Sequence, residues 1–295
     1  MTVSWIGLGK LGLPMAGRLV AGGFAVVAYD RSPERLALAK QRSVKIGTDF
    51  AQEAAGSRFV VSSLPDDGAL QAVFGDGGML GSMAKGSTLI ETSTVSPAAS
   101  AALASLCEQQ GIAYLRCPLS GGPTLAEAGT LTALASGPRV AFDEALPLLA
   151  CFSKAQRYLG HADEARYAKL ALNLMVATTA GMMAESLSLA RAGNIGWNDM
   201  LDLLDESAVA SPVVRYKVSP LKQRDFSSTF SGKQMLKDLE LVVGAAEASN
   251  VVTPIARLVR SSFSALVEEG LGDEDFIAIV KSIERRSGLA EPARV

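Results

Sequence analysis

Along the first half of the chain, short apolar runs alternate with stretches whose apolar residues recur at helical spacing. VSWIGL, FAVVAYD, FVVSSLP, STLIETST, IAYLRCPLS and TLTALASG are of strand length and rich in Val, Ile, Leu, Thr and aromatic residues. Between them, residues from about Leu13 to Ala21, RSPERLALAKQ, PAASAALASLCEQQG and FDEALPLLACFS carry helical periodicity. This alternation predicts right-handed crossover units and a doubly wound, mainly parallel sheet with helices on both faces.

From about Ala162 the strand-like pattern stops. Helical periods run over Ala165 to Arg191, Asn198 to Ser207, Gln234 to Ser249, Ile255 to Glu269 and Phe276 to Arg285, with no repeat of fixed period. The expectation is an α/β domain over residues 1–162 and an all-α domain over 163–295, entered through a long helix at the join.

That helix includes YAKLALNLMVATTAGMMAESLSLA, Tyr167 to Ala190, which is long and apolar enough to suggest a membrane span. A span of about 20 residues is mostly Leu, Ile, Val and Phe and excludes charge. Here Lys169 and Asn173 stand near the start, Glu185 lies deeper, and Ala177, Thr178, Thr179, Ala180 and Gly181 fill the middle. A helix buried between protein layers, with no membrane partner, fits better.

The length of 295 residues suits two domains, each able to bury a core. With 48% hydrophobic and 20% charged residues and a formal net charge of -2, composition gives no case for a nucleic-acid or anionic-membrane partner. The three cysteines, Cys107, Cys117 and Cys151, match neither a zinc-ligand spacing nor a disulfide framework, which fits a reducing cytoplasm. MTVSWIGLGK lacks the basic segment, apolar core and cleavage site of a secretion signal.

GLGKLG, Gly7 to Gly12, directly follows the first strand and opens the first helix. Gly7 permits the tight turn, Gly9 lets a pyrophosphate approach the backbone, and Gly12 allows close helix–strand packing. Leu8, Lys10 and Leu11 complete the loop, and the helix N-terminus supplies N–H groups and a positive dipole end. Asp30 ends the second strand, at the distance where an acid meets an adenosine ribose. A Rossmann-like dinucleotide site follows. Asp30 accepts hydrogen bonds from a free ribose diol and repels a 2′-phosphate, whereas Arg31 could pair with that phosphate, so NAD is preferred and NADP use is left open.

Two further features carry chemistry. Ser120-Gly121-Gly122 places a hydroxyl beside two glycine amides, a concavity suited to a carboxylate or else a plain turn. Lys169 and Asn173, at i and i+4, share a helix face. Alcohol oxidation by hydride loss needs a group to take the hydroxyl proton, and a lysine partly desolvated by an apolar helix can do so, because burial disfavours its charged form. The structural alternative is a snorkelling lysine near a helix end and an asparagine paired with backbone. The one histidine, His161, lies in polar GHADEA without clustered metal ligands.

WIGLGKLGLPMA, SLP at 63–65, ETSTVSP at 91–97, PLSGG followed by GTL, AKLALN at 168–173 and MLKDLEL at 235–241 occur in the order and spacing of the β-hydroxyacid dehydrogenases, which the chain resembles over nearly its whole length. The resemblance implies that Leu64, Pro65 and Thr94 line the nicotinamide side of the cofactor. It assigns substrate carboxylate to Ser120, Gly121 and Gly122, catalysis to Lys169, substrate orientation to Asn173, and a position near cofactor and substrate to Lys237 with Asp238. It implies reversible hydride transfer between nicotinamide and a small carboxylate-bearing β-hydroxy acid or its semialdehyde. The long helices suit assembly as a homodimer or homotetramer.

Two departures stand out. Arg116 occupies the acidic place before the CPLSGG segment, where it either reshapes a salt bridge or adds a second carboxylate binder. GHADEARYAK carries Asp163 and Ala165 where the family has glycines, which bears on cleft shape and so on substrate identity. Leu11 replaces the usual methionine at similar volume. An imine or other carbonyl reductase on the same scaffold is an alternative enzyme, against which Lys169 speaks. A non-catalytic dinucleotide sensor is the alternative of another class, and it has no need of a proton donor.

Overall fold

The computed structural model describes residues 2–75 and 77–289, and the chain divides into two compact units, Met1–Lys169 and Leu170–Val295. In chain order the first unit holds β1 (Thr2–Ile6), α1 (Gly12–Ala21), β2 (Ala25–Tyr29), α2 (Pro33–Gln41), β3 (Lys45–Ile46), α3 (Phe50–Ala55), β4 (Phe59–Ser62) and α4 (Asp67–Phe74). After a 3-10 turn at Met79–Ser82 come β5 (Thr88–Glu91), α5 (Pro97–Gln109), β6 (Ala113–Arg116), β7 (Leu119–Ser120), α6 (Pro123–Ala128), β8 (Leu131–Ser136), α7 (Arg139–Leu149) and β9 (Ser153–Gly160).

The strands form one sheet in the order β3-β2-β1-β4-β5-β6-β8-β7, with β9 paired to β8. Pairing is parallel from β3 through β6, as the alternation of strands and helices demands, and β8 runs antiparallel to β6 and β7. Every residue of β4 and β5 is buried, the signature of a parallel sheet covered on both faces. Val3 and Trp5 of β1 join one core with Met15, Leu19, Phe142 and Phe152, while Ile6 joins another with Phe74, Leu103 and Tyr114. The N-terminal ends of α2, α3, α4 and α5 are closed by the side chains of Ser32, Asp49, Asp66 and Ser96.

One strand reading needs correction, and β9 and three short helices lie outside the expected elements. IAYLRCPLS is not one strand: β6 ends at Arg116 and β7 begins at Leu119, because Pro118 between them has no N–H to give a ladder. β9 is absent from the hydrophobic pattern because SKAQRYLG is largely polar, its one described partner strand being β8. The short helices α3, α4 and α6 span too few turns to show a period.

The second unit is helical. α8 (Glu164–Ala192) starts in the first unit and is followed by α9 (Trp197–Glu206), α10 (Pro212–Lys222), α11 (Gly232–Ala248), α12 (Pro254–Glu268), a 3-10 turn at Phe276–Ala278 and α13 (Ile279–Arg286). α10 escapes periodicity because its span holds Pro220 and sets Arg215, Lys217 and Ser219 among its apolar residues, yet Ser211 caps it and Val214, Val218 and Leu221 are buried. α11 opens with a reciprocal capping box between Ser231 and Gln234. Ala177, Ala180, Met183, Ala184 and Leu187 of α8 pack against Leu201, Leu239, Phe263 and Ile279. α8 is the one helix among the described residues long and apolar enough to cross a membrane, but these small residues bring neighbouring helices close, as in a protein core. Glu185 is exposed, and among the described residues no ion pair holds it.

Candidate active site

The glycine loop connects the end of β1 to the start of α1. Gly7 sits at φ +92°, a conformation only glycine takes readily, and a Cβ there would land on the Ser63 carbonyl. A Cβ on Gly12 would strike the Gly7 carbonyl, whereas one on Gly9 would meet nothing within 4 Å. Thus two glycines are fixed by backbone contact and the third faces open space. α1 has no side-chain cap and no acidic residue in its first turn, so its positive end is not neutralised locally. Both properties fit a pyrophosphate.

Asp30 closes the loop from the end of β2. Its Oδ2 accepts the Leu8 N–H at 2.6 Å and its Oδ1 the Ser32 N–H at 2.8 Å, which holds the carboxylate beside the loop with lone pairs remaining on both oxygens. Leu8 itself is buried in the core, and its carbonyl accepts a bond from Arg35 at 3.3 Å. Arg31 and Lys10 are exposed.

Leu64 adjoins the same loop, since a Cβ on Gly7 would touch its side chain at 3.5 Å. The Leu64 N–H donates to Ser93 Oγ at 2.7 Å, linking the loop after β4 to the one after β5 that bears Thr94. Ser93 N–H in turn donates to Glu91 Oε1 at 2.8 Å. Glu91 is fully buried, and its second oxygen accepts from the guanidinium of Arg166, which is 1% exposed. Arg166 also donates to the Ser93 carbonyl at 2.7 Å, the Tyr114 hydroxyl at 3.0 Å and Ser100 Oγ at 3.2 Å. Burial opposes the charge on Arg166, but Tyr114 and Glu91 outweigh it and hold the group firmly protonated. Burial likewise pushes the Tyr114 hydroxyl up, so that it stays neutral.

Sequence reasoning passed over Glu91 and Arg166. A signal existed, since a glutamate inside the strand run STLIETST needs a cationic partner once buried.

The two departures from the family pattern meet each other. Arg116 Nε lies 2.5 Å from Asp163 Oδ1, and its guanidinium stands 4.8 Å from the centroid of the Tyr114 ring. Arg116 is 6% exposed, so it is the reshaped salt bridge and not a second carboxylate binder. The Asp163 carbonyl accepts the N–H groups of Arg166 and Tyr167, at the start of α8. Ser136 Oγ, at the end of β8, donates to the Ala162 carbonyl at 2.7 Å and accepts the Ala165 N–H at 3.2 Å.

Ser120 ends β7, paired with Thr132, and Gly121 follows at φ +129°. Gly121 and Gly122 are exposed and lead into α6, which has no side-chain cap. Lys169, half-buried, is the last residue of the first unit. In the second unit Asn173 is 9% exposed and its Nδ2 donates to Asp238 Oδ2 at 2.5 Å. Asp238 Oδ1 lies 2.9 Å from Lys237 Nζ, an ionic contact off the line of a hydrogen bond. Asp238, 1% exposed, therefore joins Asn173 to Lys237.

His161 is exposed, its Nδ1 3.1 Å from the Tyr158 hydroxyl, and no metal-binding cluster of His, Cys, Asp and Glu occurs among the described residues. A hollow of about 290 Å³ between α4 and α5, lined by Asp67, Leu70, Gln71, Ala99 and Leu103, contains none of the site residues named above.

The first unit thus has a dinucleotide-binding fold, and the second is helical. Residues 2–160 match the NAD binding domain of 6-phosphogluconate dehydrogenase, and residues 164–283 match the NAD-binding domain of NADP-dependent 3-hydroxyisobutyrate dehydrogenase. The chain is 29% identical to 2-(hydroxymethyl)glutarate dehydrogenase of Eubacterium barkeri, over 98% of its own length and 96% of that protein. It is 27% identical to glyoxylate/succinic semialdehyde reductase 1 of Arabidopsis thaliana, over 96% and 99% of the two chains. The crystal structure of 3-hydroxyisobutyrate dehydrogenase from Salmonella typhimurium superposes with a TM-score of 0.88 at 23% identity, covering 96% of this chain and 99% of that one. The chain belongs to the β-hydroxyacid dehydrogenase family. It is an oxidoreductase that uses a nicotinamide cofactor and acts on CH–OH donors.

Proposed function

We propose that the protein interconverts a small β-hydroxy acid and its semialdehyde, with Lys169 as the proton-exchanging residue. When bound, the nicotinamide supplies or accepts the hydride. Lys169 takes the hydroxyl proton during oxidation and returns it to the carbonyl oxygen during reduction. Ser120 and the amides of Gly121 and Gly122 hold the substrate carboxylate. Asn173 and Lys237, in the second unit, keep the roles of the family pattern, Asn173 orienting the hydroxyl and Lys237 lying near cofactor and substrate. The observation that supports this reading is the buried Asp238 carboxylate, which accepts the Asn173 amide N–H at 2.5 Å and lies 2.9 Å from the Lys237 ammonium.

Cofactor binding falls to Gly7, Leu8, Gly9, Lys10, Leu11, Gly12, Asp30, Arg31, Leu64, Pro65 and Thr94. NAD is the preferred form, because Asp30 presents a carboxylate fixed by two backbone N–H groups where a 2′-phosphate would bring negative charge. The exposed Met175, Met182 and Leu189 lie at seven-residue spacing on α8 and support a homodimer or homotetramer. The cysteine pattern fits the cytoplasm.

The test is a panel of 3-hydroxy acids, semialdehyde acids and a cyclic imine, assayed with NADH or NADPH and the corresponding oxidised forms. Turnover of a carboxylate-bearing alcohol or aldehyde, favouring NAD(H), is the expected result. Turnover confined to the imine selects the carbonyl-reductase alternative, and cofactor binding without any turnover selects a sensor.

A further inference from the structure

The ammonium of a proton-exchanging lysine must be held to within a fraction of an ångström, and a lysine side chain does not locate itself. Its backbone must be fixed. Lys169 stands one helical turn after Arg166, on the same side of α8. Arg166 is the most deeply buried cation of the first unit, and its partners lie on four separate elements: Glu91 on β5, the Ser93 carbonyl in the following loop, Ser100 on α5 and Tyr114 on β6.

None of the buried side-chain nitrogen or oxygen atoms of Arg166, Glu91, Ser93, Ser100 and Tyr114 lacks a hydrogen-bond partner. A satisfied buried network of this kind has one low-energy arrangement and so specifies geometry more than it adds stability. It also reaches the cofactor loops. The Ser93 carbonyl accepts from Arg166, its Oγ accepts the Leu64 N–H, and Thr94 is its chain neighbour.

We propose that Arg166, with Glu91 as counter-ion, is a positioning residue that sets the rotation and height of the first turn of α8, and hence Lys169, against the loops carrying Leu64 and Thr94. The inference rests on the catalytic reading of Lys169. A lysine would replace the arginine only in part, because a guanidinium spreads planar donors over several acceptors whereas an ammonium is a point charge on a flexible stem.

The variants Arg166→Gln and Arg166→Lys test it, with kcat, KM, NADH affinity and thermal midpoint measured on each. The expected result is a fall in kcat of about a hundredfold for Arg166→Gln with KM and NADH affinity within about threefold of wild type, and a smaller fall for Arg166→Lys. A lowered midpoint with kcat per folded molecule within about threefold of wild type in both variants overturns the proposal and leaves a purely structural role. Should Arg166→Gln not fold, Arg166→Lys decides on the same criterion.

A second readout separates this inference from the functional reading. The rate of acetylation of Lys169 by acetic anhydride, followed by mass spectrometry across pH, reports its placement without any substrate. Exposed Lys154 serves as the internal reference. A changed Lys169 profile in the variants, with Lys154 unchanged, supports positioning even if wild-type enzyme turns over none of the panel. An unchanged Lys169 profile contradicts it, whatever the substrate proves to be.

Discussion

In the first unit the buried guanidinium of Arg166 meets a carboxylate, a carbonyl and two hydroxyls where the strands end, and the same atoms reach the loops of Leu64 and Thr94. In the second unit the buried Lys217 and Arg224 are paired with carboxylates and lie against aromatic rings. Lys217 Nζ lies 2.6 Å from Asp275 Oδ1, and Arg224 grips both oxygens of Glu284 at 3.0 and 2.8 Å, with Arg191 adding a contact of 2.8 Å. These pairs tie α10 and the end of α8 to the 3-10 turn and to α13. The contrast teaches that buried charge has two uses here: in the helical unit it fixes which helices neighbour one another, and in the α/β unit it fixes where loops and one helical turn stand relative to each other.

The sharpest way to break that contrast is Lys217→Met. Asp275 would stay buried with its N–H and hydroxyl partners, Ile277 and Thr229, but no cation. Loss of one partner of a buried pair costs about 3–5 kcal/mol, to be read from urea denaturation. Turnover per folded molecule should hold near wild type. If Lys217→Met lowers kcat of the folded fraction as far as Arg166→Gln does, the two networks are not different in kind.

A smaller effect compares two glycines of one loop. Gly12→Ala forces a methyl onto the Gly7 carbonyl, an overpacking worth about 1–3 kcal/mol, so both the thermal midpoint and NADH affinity should fall. Gly9→Ala meets open space, so the midpoint should stay and NADH affinity alone should weaken, as fluorescence titration would show. Equal NADH affinity for Gly9→Ala and wild type contradicts the reading of that space as the pyrophosphate approach.

The smallest signal concerns the thiols. Burial pushes Cys107 and Cys117 up to about 12, so at pH 8 neither forms appreciable thiolate in the native protein. An aromatic disulfide reagent should therefore leave both unmodified until denaturant is added. Modification of either in the folded state would mean that the sheet and α5 open on the timescale of the assay.

The fold was legible wherever burial and residue type coincide. Val3, Trp5 and Ile6 of β1 and the continuous burial of β4 and β5 appear as apolar runs, and Gly7 to Gly12 announces a turn that backbone contact then explains. β9 was not legible, because its residues are largely polar and its place depends on the ladder with β8. α10 was hidden by Pro220, which its last turn accommodates.

For the site, motif order points to Lys169, Asn173 and Lys237, and the sequence alone says nothing of what holds them. Asp238 as the link from Asn173 to Lys237, Glu91 as the acceptor for Arg166 and Asp163 as the partner of Arg116 rest on contacts across 65, 75 and 47 residues of chain, set by topology. The pairing of Arg116 with Asp163 is the clearest case, since each looks like an isolated departure until the sheet and the start of α8 bring them together.

The central claim is that Lys169 exchanges the substrate proton. Lys169→Ala, assayed by single-turnover reduction of a semialdehyde acid with saturating NADH, tests it most directly. A loss of at least about a hundredfold in the chemical step, in the range of general acid–base catalysis, is expected, with NADH affinity unchanged. A near-wild-type rate with intact cofactor binding would contradict it.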